Sequence, residues 1–401
     1  MKCLKCNSLD VKKSGLRKYP VFSKNRKRYK LIQNYRCVNN HFFKDPLADT
    51  LRYSNSFMEH VVFTYLKCLS LNTTIYLIRE QFEEQILSKK LILSFIERIA
   101  SKLPNLDSID DLYKPLRSGY LAFDGVWFKF RGIDIVLIIC FDPDTFDIIQ
   151  AGFYTQESYN AYLSIINKVL SKYPYCDTLK IKGVYADGDR GFMKAKNELL
   201  PNVPFQLCTV HKELKMNKYI PVKSVTRSKQ MSDKTKEEIL KYQELFRECI
   251  YTKTKEEALN NLKKLEEYSN DKLNKLTITN KVRFKKTTKS LKYNFEYTLT
   301  HFKHTGMVKD NNLLECFNGY IKRRLKLMKN FKKLDNIEHY LKLFLLDFRF
   351  HTLRESRFKE KRGLSPLEIG GVTFNTKVYG LYPILCNLIL LATVNFLIFC
   401  F

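Results

Sequence analysis

The spacing of hydrophobic positions changes from helical to strand-like near residue 119. Between residues 56 and 103, apolar side chains recur every three or four positions in three stretches with short connections, which predicts three helices. Three apolar runs follow, YLAFDGVWFKF, IDIVLIICF and FDIIQAGFY, separated by the turn signals RG and DPDT. These runs predict a three-stranded antiparallel meander.

After the meander the pattern alternates between the two periods. SYNAYLSIINKVLSKY has helical spacing, LKIKGVYADGD predicts a fourth strand with a loop and a helix beginning near Phe192, and VPFQL predicts a short fifth strand. This order predicts an α/β, ribonuclease-H-like core in which the first and fourth strands lie side by side. The polar, lysine-rich segment of about 215–300 predicts an all-helical insertion.

The N-terminus carries a pattern typical of a metal site. Cys3 and Cys6 form a CxxC, and Cys37 and His41 follow a basic stretch. Thiolates and imidazole are the ligands that Zn²⁺ prefers, and a polar module this small needs such a staple, so we predict a zinc ribbon. The alternative is an accidental CxxC in a frayed terminus.

The charge balance points to a polyanion. The chain has 70 Lys+Arg against 41 Asp+Glu, a net charge of +29, which favours double-stranded DNA as the partner, although single charge runs are often only solvated faces. On a helix-turn-helix interpretation, the third helix would enter the major groove; the alternative is a helical packing unit without DNA contact. The candidate DNA-binding residues are Lys27, Arg28, Ser88, Lys89, Lys90, Lys322, Arg323, Arg324 and Lys326.

Two further features concern location. The N-terminus has no apolar leader after its first charges, so we expect a cytoplasmic protein, and its positive charge favours association with the nucleoid. Residues 378–401 carry no charge and approach the length of a membrane span. Because Pro383, Asn387 and Asn395 interrupt this tail, we expect no membrane anchor.

Three acidic residues are the strongest candidates for chemistry. Asp124 interrupts an apolar strand, Asp187 directly follows the fourth strand, and Glu315 lies on a predicted basic helix. A carboxylate within an apolar strand is costly unless it has a task, and carboxylates on rigid elements can hold the two Mg²⁺ or Mn²⁺ ions of phosphodiester chemistry.

Other acids compete for these roles. Asp189 is the rival to Asp187, or it caps the next helix. Four more lie at strand starts or in a turn, where Asp has an ordinary conformational reason to be. They are Asp134, Asp142, Asp144 and Asp147.

The ordered motifs ADGDRGF, FQLCTVH and NNLLECFNGYIKRRLK resemble the Mutator-like superfamily of DDE transposases, including bacterial and archaeal insertion-sequence transposases. The resemblance spans about residues 120–326. It implies Asp124, Asp187 and Glu315 as catalytic magnesium ligands. It further implies a supporting role for Gly188, Cys208, His211 and Asn312.

The resemblance also implies organisation and activity. The predicted segments are a zinc ribbon (1–50), a helix-turn-helix-like domain (51–116), the catalytic domain with its insertion (117–360) and a C-terminal tail (361–401). The implied activity is DNA cleavage at transposon ends and strand transfer to target DNA, by a homodimer or higher oligomer on paired ends.

Alternatives remain for the enzyme and for one motif. A nuclease of the same fold without strand transfer and an inactive, domesticated DNA-binding protein both fit the sequence. Cys208 and His211 can also be half of a zinc site completed by His301 or His304.

Overall fold

The computed structural model describes residues 2–3, 5–24, 26–45, 52–68, 70–83, 86–172, 181–229, 231–273, 278–327, 333–356 and 358–374. They form two compact units. One contains residues before 106 and those of 327–352, and the other contains residues 106–326 and those of 353–374.

The described elements comprise two sheets and many helices. The strands are β1 (Val11–Ser23), β2 (Arg26–Cys37), β3 (Phe42–Lys44), β4 (Tyr120–Phe130), β5 (Ile133–Asp142), β6 (Asp147–Tyr154), β7 (Gly183–Ala186) and β8 (Phe205–Leu207). The α-helices are α1 (Asn55–Cys68), α2 (Leu71–Phe82), α3 (Lys89–Lys102), α4 (Leu106–Tyr113), α5 (Tyr159–Ser171), α6 (Arg190–Leu199), α7 (Thr209–Tyr219), α8 (Val222–Arg227), α9 (Asp233–Ile250), α10 (Lys255–Leu273), α11 (Ile278–Lys292), α12 (Phe295–Thr298), α13 (Asn312–Leu327), α14 (Leu334–Phe350) and α15 (Pro366–Ile369). Two 3₁₀ turns occupy Thr300–Phe302 and Lys359–Lys361. The predicted mixed α/β class is confirmed.

The first unit joins a small sheet to the three predicted helices. Strands β1, β2 and β3 pair antiparallel, and helices α1 to α3 follow. Phe57 stacks on Tyr53 with ring centroids 5.3 Å apart, and this pair forms part of the aromatic core of the unit. Ser88 caps α3, because its hydroxyl accepts from the Leu91 amide. Helix α14 packs on α3, where Lys342 Nζ donates to the Ala100 carbonyl over 2.8 Å.

The acidic segment LDSIDDLY between Pro104 and Pro115 has the composition of a linker, which is what the sequence predicts, but it forms helix α4 instead. Its acids have specific partners: Asp110 lies 2.9 Å from Arg117 and 3.0 Å from Lys172, and Asp107 lies 2.8 Å from Lys172. The linker prediction was wrong because acidic residues between two prolines resemble a solvated connection, whereas these acids form ion pairs with Arg117 and Lys172 of their own unit.

The second unit is built on a five-stranded sheet of order β6-β5-β4-β7-β8. Strands β4, β5 and β6 are the predicted antiparallel meander. Strand β7 returns parallel to β4, pairing Tyr185 with Ala122, so the predicted adjacency of the first and fourth strands is confirmed. Helices α5 and α6 bury Tyr162 and Phe192 against the sheet, within a core that includes Phe123.

The predicted insertion consists, in its described residues, of helices α7 to α12 joined by short connections, and it has a core of its own. Tyr242 of α9 stacks on Phe284 of α11 with ring centroids 4.1 Å apart, and Phe246 and Leu265 lie in the same cluster. This core lets the insertion fold around its own apolar contacts.

The apolar tail from residue 378 lies outside the described residues. Of the helices that the structure describes, none is both long and apolar enough to cross a membrane.

Candidate active site

The parallel pairing of β4 with β7 brings two of the predicted acids together. The register matches Ala122 with Tyr185, and each acid lies two residues further along its strand direction. Since neighbouring strands are about 4.8 Å apart, Asp124 and Asp187 are neighbours at this edge. Their electrostatic coupling agrees: the pKa of Asp124 is raised, first by burial, and the charge of Asp187 contributes, although His211 opposes the shift.

Helix α13 reaches Asp124 through a residue that the sequence analysis missed. Asn318 is 1% exposed, and its Nδ2 donates to Asp124 Oδ2 over 2.7 Å. Asn318 follows Glu315 by three positions, which places both on one helix face. That i, i+3 spacing was the available signal. Asn312, to which the resemblance gave a supporting role, begins the helix. Its backbone N–H donates to Asp310 Oδ1.

Glu315 faces the CxxH motif. Its Oε1 lies 3.0 Å from His211 Nδ1, without the alignment of a hydrogen bond, and 3.9 Å from Cys208 Sγ. Burial raises the pKa of Glu315, and Asp124 and Asp187 add to this, against the opposing charge of His211. Cys208 also accepts from the Asn311 amide, which ties the start of α7 to the start of α13.

The potential metal-ligand grouping in this unit, within the described residues, is Cys208, His211 and Glu315, with ligand atoms within 4.8 Å of one another. Neither His301 nor His304 joins it. The three predicted acids do not form such a tight group, because the Glu315 carboxylate is turned towards His211.

The loop after Asp187 requires its glycine. Gly188 has φ +78°, and a Cβ there would lie 2.5 Å from a methyl carbon of Leu207. The next residue, Asp189, caps α6 by accepting from the Gly191 and Phe192 amides. The capping interpretation of Asp189 is therefore confirmed.

A fourth acid, Glu157, was absent from the sequence prediction. Its Oε1 accepts from Trp127 Nε1 over 2.6 Å, and its Oε2 accepts from the Tyr162 hydroxyl over 3.2 Å. Gly125 leaves the space, since a Cβ there would lie 1.9 Å from Glu157 Oε1. Burial raises the pKa of Glu157 to about 7, with further contributions from Asp187 and Asp124. The glycine directly after Asp124 was the only sequence signal for this contact.

Gln206 on β8 fixes the point where the insertion returns. Gln206 is fully buried. Its Nε2 donates to the carbonyls of Leu207, Thr298 and Lys309, and its Oε1 accepts from the backbone amide of His301. The chain that leads into α13 is thereby held against the end of β8.

The competing acids of the meander have structural partners. Asp142 is fully buried and accepts from the Ser118 amide and hydroxyl, and buried Asp147 pairs with Arg117. Exposed Asp134 lies 3.7 Å from Lys129. These contacts agree with the ordinary conformational reasons predicted for them.

The predicted DNA-binding side chains are exposed with one exception. Lys27 and Arg28 lie on β2, Lys89 and Lys90 open α3, and Lys322, Arg323 and Lys326 lie on α13. Ser88 uses its hydroxyl as the α3 cap. Arg324 is only 6% exposed and its guanidinium lies over the Tyr320 ring, so its side chain is not accessible to DNA in this structure.

In the first unit, the four predicted metal ligands converge. Cys3, Cys6, Cys37 and His41 present ligand atoms within 4.8 Å of one another, so they can hold a metal ion. Cys3 Sγ lies 3.8 Å from His41 Nδ1, and Cys6 Sγ lies 3.7 Å from Cys37 Sγ. The Ser8 amide and then Asn39 lower the pKa of Cys6 to about 6, which favours the thiolate that metals bind.

Comparison with known proteins agrees with this arrangement. The model of a family described as "Transposase, Mutator family" matches residues 36–351, most of the chain. Among curated proteins, none matches the chain. The matched span contains all three predicted acids and the CxxH motif. The chain therefore belongs to the Mutator family of transposases.

Proposed function

We propose that this protein is a DDE transposase that cuts DNA at the ends of a mobile element and joins the freed end to target DNA. One observation carries the proposal: Asp124 and Asp187 are neighbours on paired parallel strands, and α13 approaches them with Asn318 bonded to Asp124. The sheet order, with β4 between β5 and β7, supports a ribonuclease-H-like core.

The residues present fit a divalent cation. Asp124, Glu157 and Glu315 all have raised pKa values, first because they are buried and further because the charges of neighbouring carboxylates repel one another. The Oδ1 atom of Asn318 is buried without a hydrogen-bond partner. Carboxylate and amide oxygens are the ligands that Mg²⁺ and Mn²⁺ prefer.

Asp124, Asp187 and Glu315 would hold the ions, with Glu157 as a fourth carboxylate beside them. When bound, such cations activate the attacking oxygen and stabilise the leaving oxygen of a phosphodiester. Turning Glu315 from His211 towards the aspartates would complete the set.

The side chains around the acids orient them. Asn318 holds Asp124 through its 2.7 Å hydrogen bond, and His211 Nδ1 lies beside Glu315 Oε1 at 3.0 Å. In the first step, water attacks the scissile phosphorus and the bond to the 3′-oxygen breaks. In the second step, that 3′-hydroxyl attacks the phosphorus of a target phosphodiester, a new P–O bond forms, and the bond from that phosphorus to the 3′-oxygen of the target breaks, so that this oxygen leaves as a hydroxyl.

The first unit would recognise the element ends. The composition of a structural Zn²⁺ site is present in Cys3, Cys6, Cys37 and His41. The same unit carries exposed cations on β2 and α3. Phosphate contacts from these cations would hold terminal repeats, and two copies of the chain would pair two ends.

The test is cleavage and joining of labelled element ends by the purified protein with Mg²⁺ or Mn²⁺. Glu315→Ala removes a proposed ligand, and Glu198→Gln is the matched control, since Glu198 is exposed and accepts from the Tyr159 hydroxyl outside the site. We expect Glu315→Ala to lose both reactions and Glu198→Gln to keep them. Cleavage without joining would identify a nuclease, and binding without cleavage in the parent would overturn the catalytic proposal.

A further inference from the structure

A cleft beside Asp187 separates helix α7 from the end of α11. Its volume is about 380 Å³, and it opens onto the loop of Asp187 and Gly188. The other lining residues that matter here are Arg190, Lys215, Lys286, Lys289, Tyr219 and Tyr293. The cleft therefore joins a proposed catalytic acid to a concentration of positive charge.

These cations lack acidic partners. In the described part of the chain, none of Arg190, Lys215, Lys286 and Lys289 forms an ion pair with a carboxylate. By contrast, Lys292 on the same helix pairs with Glu266 at 2.5 Å. Four clustered cations without acids repel one another, and a bound anion would remove that repulsion.

The cleft has a fixed wall. Lys212 of α7 is 5% exposed, and its Nζ donates to the carbonyls of Ser290 and Tyr293 at the end of α11, over 2.7 and 2.5 Å. This contact satisfies carbonyls that the helix end leaves open and sets the separation of the two helices. The anion-binding side chains are thus carried on rigid elements.

Tyr293 adds an aromatic surface. Its side chain is 51% exposed at the edge of the cleft, within a lining that also contains Tyr219. A positive groove with exposed aromatic rings is the combination that holds unpaired nucleotides, because phosphates meet the cations and bases stack on the rings.

We propose that the α7–α11 cleft binds the unpaired DNA strand next to the scissile phosphate, with a base stacked on Tyr293 and phosphates on Lys286 and Lys289. This rests on the proposed function, because it is the Asp187 end of the cleft that receives the reacting phosphate. The cavity volume is near the lower end of ligand sites, which span about 300–1,000 Å³, so it suits one nucleotide and excludes a double helix.

The experiment measures binding and leaves catalysis aside. Fluorescence anisotropy gives the affinity of the full-length protein for a labelled single strand of about six nucleotides, over a series of salt concentrations. The test variant is Lys286→Gln with Lys289→Gln. The control is Lys281→Gln with Lys285→Gln, which makes the same charge change on the same helix outside the cleft lining.

We expect the test variant to lose about 10-fold in affinity for the single strand, and its salt slope to fall by about 1.4 because two phosphate contacts are removed. The control should change far less. In addition, 5-iodo-2′-deoxyuridine beside the cleavage position should photocrosslink to the peptide that contains Tyr293, and Tyr293→Ala should abolish that crosslink.

Equal losses in test and control variants, or crosslinks confined to other peptides, would overturn the cleft proposal. The proposed function fails separately: Glu315→Ala should bind the single strand like the parent, so retained cleavage by Glu315→Ala would contradict the catalytic assignment and leave the binding result intact.

Discussion

Trp127 Nε1 donates a 2.6 Å hydrogen bond to Glu157 Oε1. Trp127 lies on β4, three residues after Asp124. Trp127 is the only tryptophan of the chain, and its side chain is 44% exposed. An indole bonded to a carboxylate of the proposed metal site is therefore a natural probe of that site.

The first prediction uses this probe. Mn²⁺ is paramagnetic, so binding near Glu157 should quench Trp127 emission in a saturable way, in the absence of DNA. Asp187→Asn should weaken this response by about 10-fold or more in apparent metal affinity, as loss of a charged ligand does. A metal titration by fluorescence checks it, with Glu198→Gln as control. Unchanged quenching in Asp187→Asn would place the ion elsewhere.

The second prediction concerns stability and pH. Burial raises the pKa of Glu157 to about 7 in the folded protein, above the 4.5 of an ordinary glutamate, so the folded protein holds this proton more tightly than the unfolded chain. The associated stability is fully present below about pH 4.5 and is lost as the pH rises through about 7. Glu157→Gln keeps the shape without the charge, so at pH 8 without divalent metal it should be more stable than the parent by about 1–2 kcal/mol, allowing for partial exposure.

Urea denaturation at pH 5 and pH 8 measures this difference, which should be smaller at pH 5. Saturating Mg²⁺ at pH 8 should reduce or reverse it, because the cation stabilises the ionised carboxylates of the parent. A variant less stable than the parent at pH 8 without metal would mean that the charge of Glu157 is already compensated.

The third prediction tests Asn318. Asn318→Ala removes the hydrogen bond to Asp124 and should reduce cleavage by about 10- to 100-fold, the usual effect of losing a group that orients a ligand. Cys316→Ser is the control, because Cys316 is exposed on the same helix. Circular dichroism and a cleavage assay separate folding from activity. Equal activity of the two variants would reduce Asn318 to a packing residue.

The fourth prediction concerns the N-terminal cluster. Purified protein should carry one Zn²⁺ per chain, and Cys37→Ser should lose it, since three ligands bind zinc less tightly than four. Elemental analysis and chelator-linked release of the metal measure this. The same Cys316→Ser control should retain the ion. A metal-free parent that stays folded through residues 11–44 would contradict a structural zinc site.

The sequence predicted the meander of the five-stranded sheet because β4, β5 and β6 are long and apolar, and it predicted the short strands β7 and β8 from their apolar runs between helical patterns. The apolar run around Asp124 contains the acid, the run before Asp187 ends at the acid, and the order of the elements predicted the pairing of β4 with β7. The four N-terminal metal-ligand candidates could also be predicted from the sequence, since Cys and His residues at such spacing have few other uses.

What escaped prediction depends on contacts distant along the chain. Glu157 is one residue before a helix cap, Ser158, and only the fold shows that it occupies the space above Gly125. The role of Asn318 required knowing which face of α13 meets the sheet. Helix α4 was missed because its acids are explained by Arg117 and Lys172, which pattern alone does not pair with them.

The anchoring of the insertion by Gln206 has a consequence for how such chains can diverge. One buried side chain of β8 bonds the returning segment at Thr298, His301 and Lys309, so α13 is held directly by the sheet as well as by the helices that precede it. We therefore expect changes of length in the connections of the insertion to leave Glu315 in place, provided that the core around Tyr242 and Phe284 is kept. Such changes would alter the part of the chain far from the sheet and spare the residues that return it there.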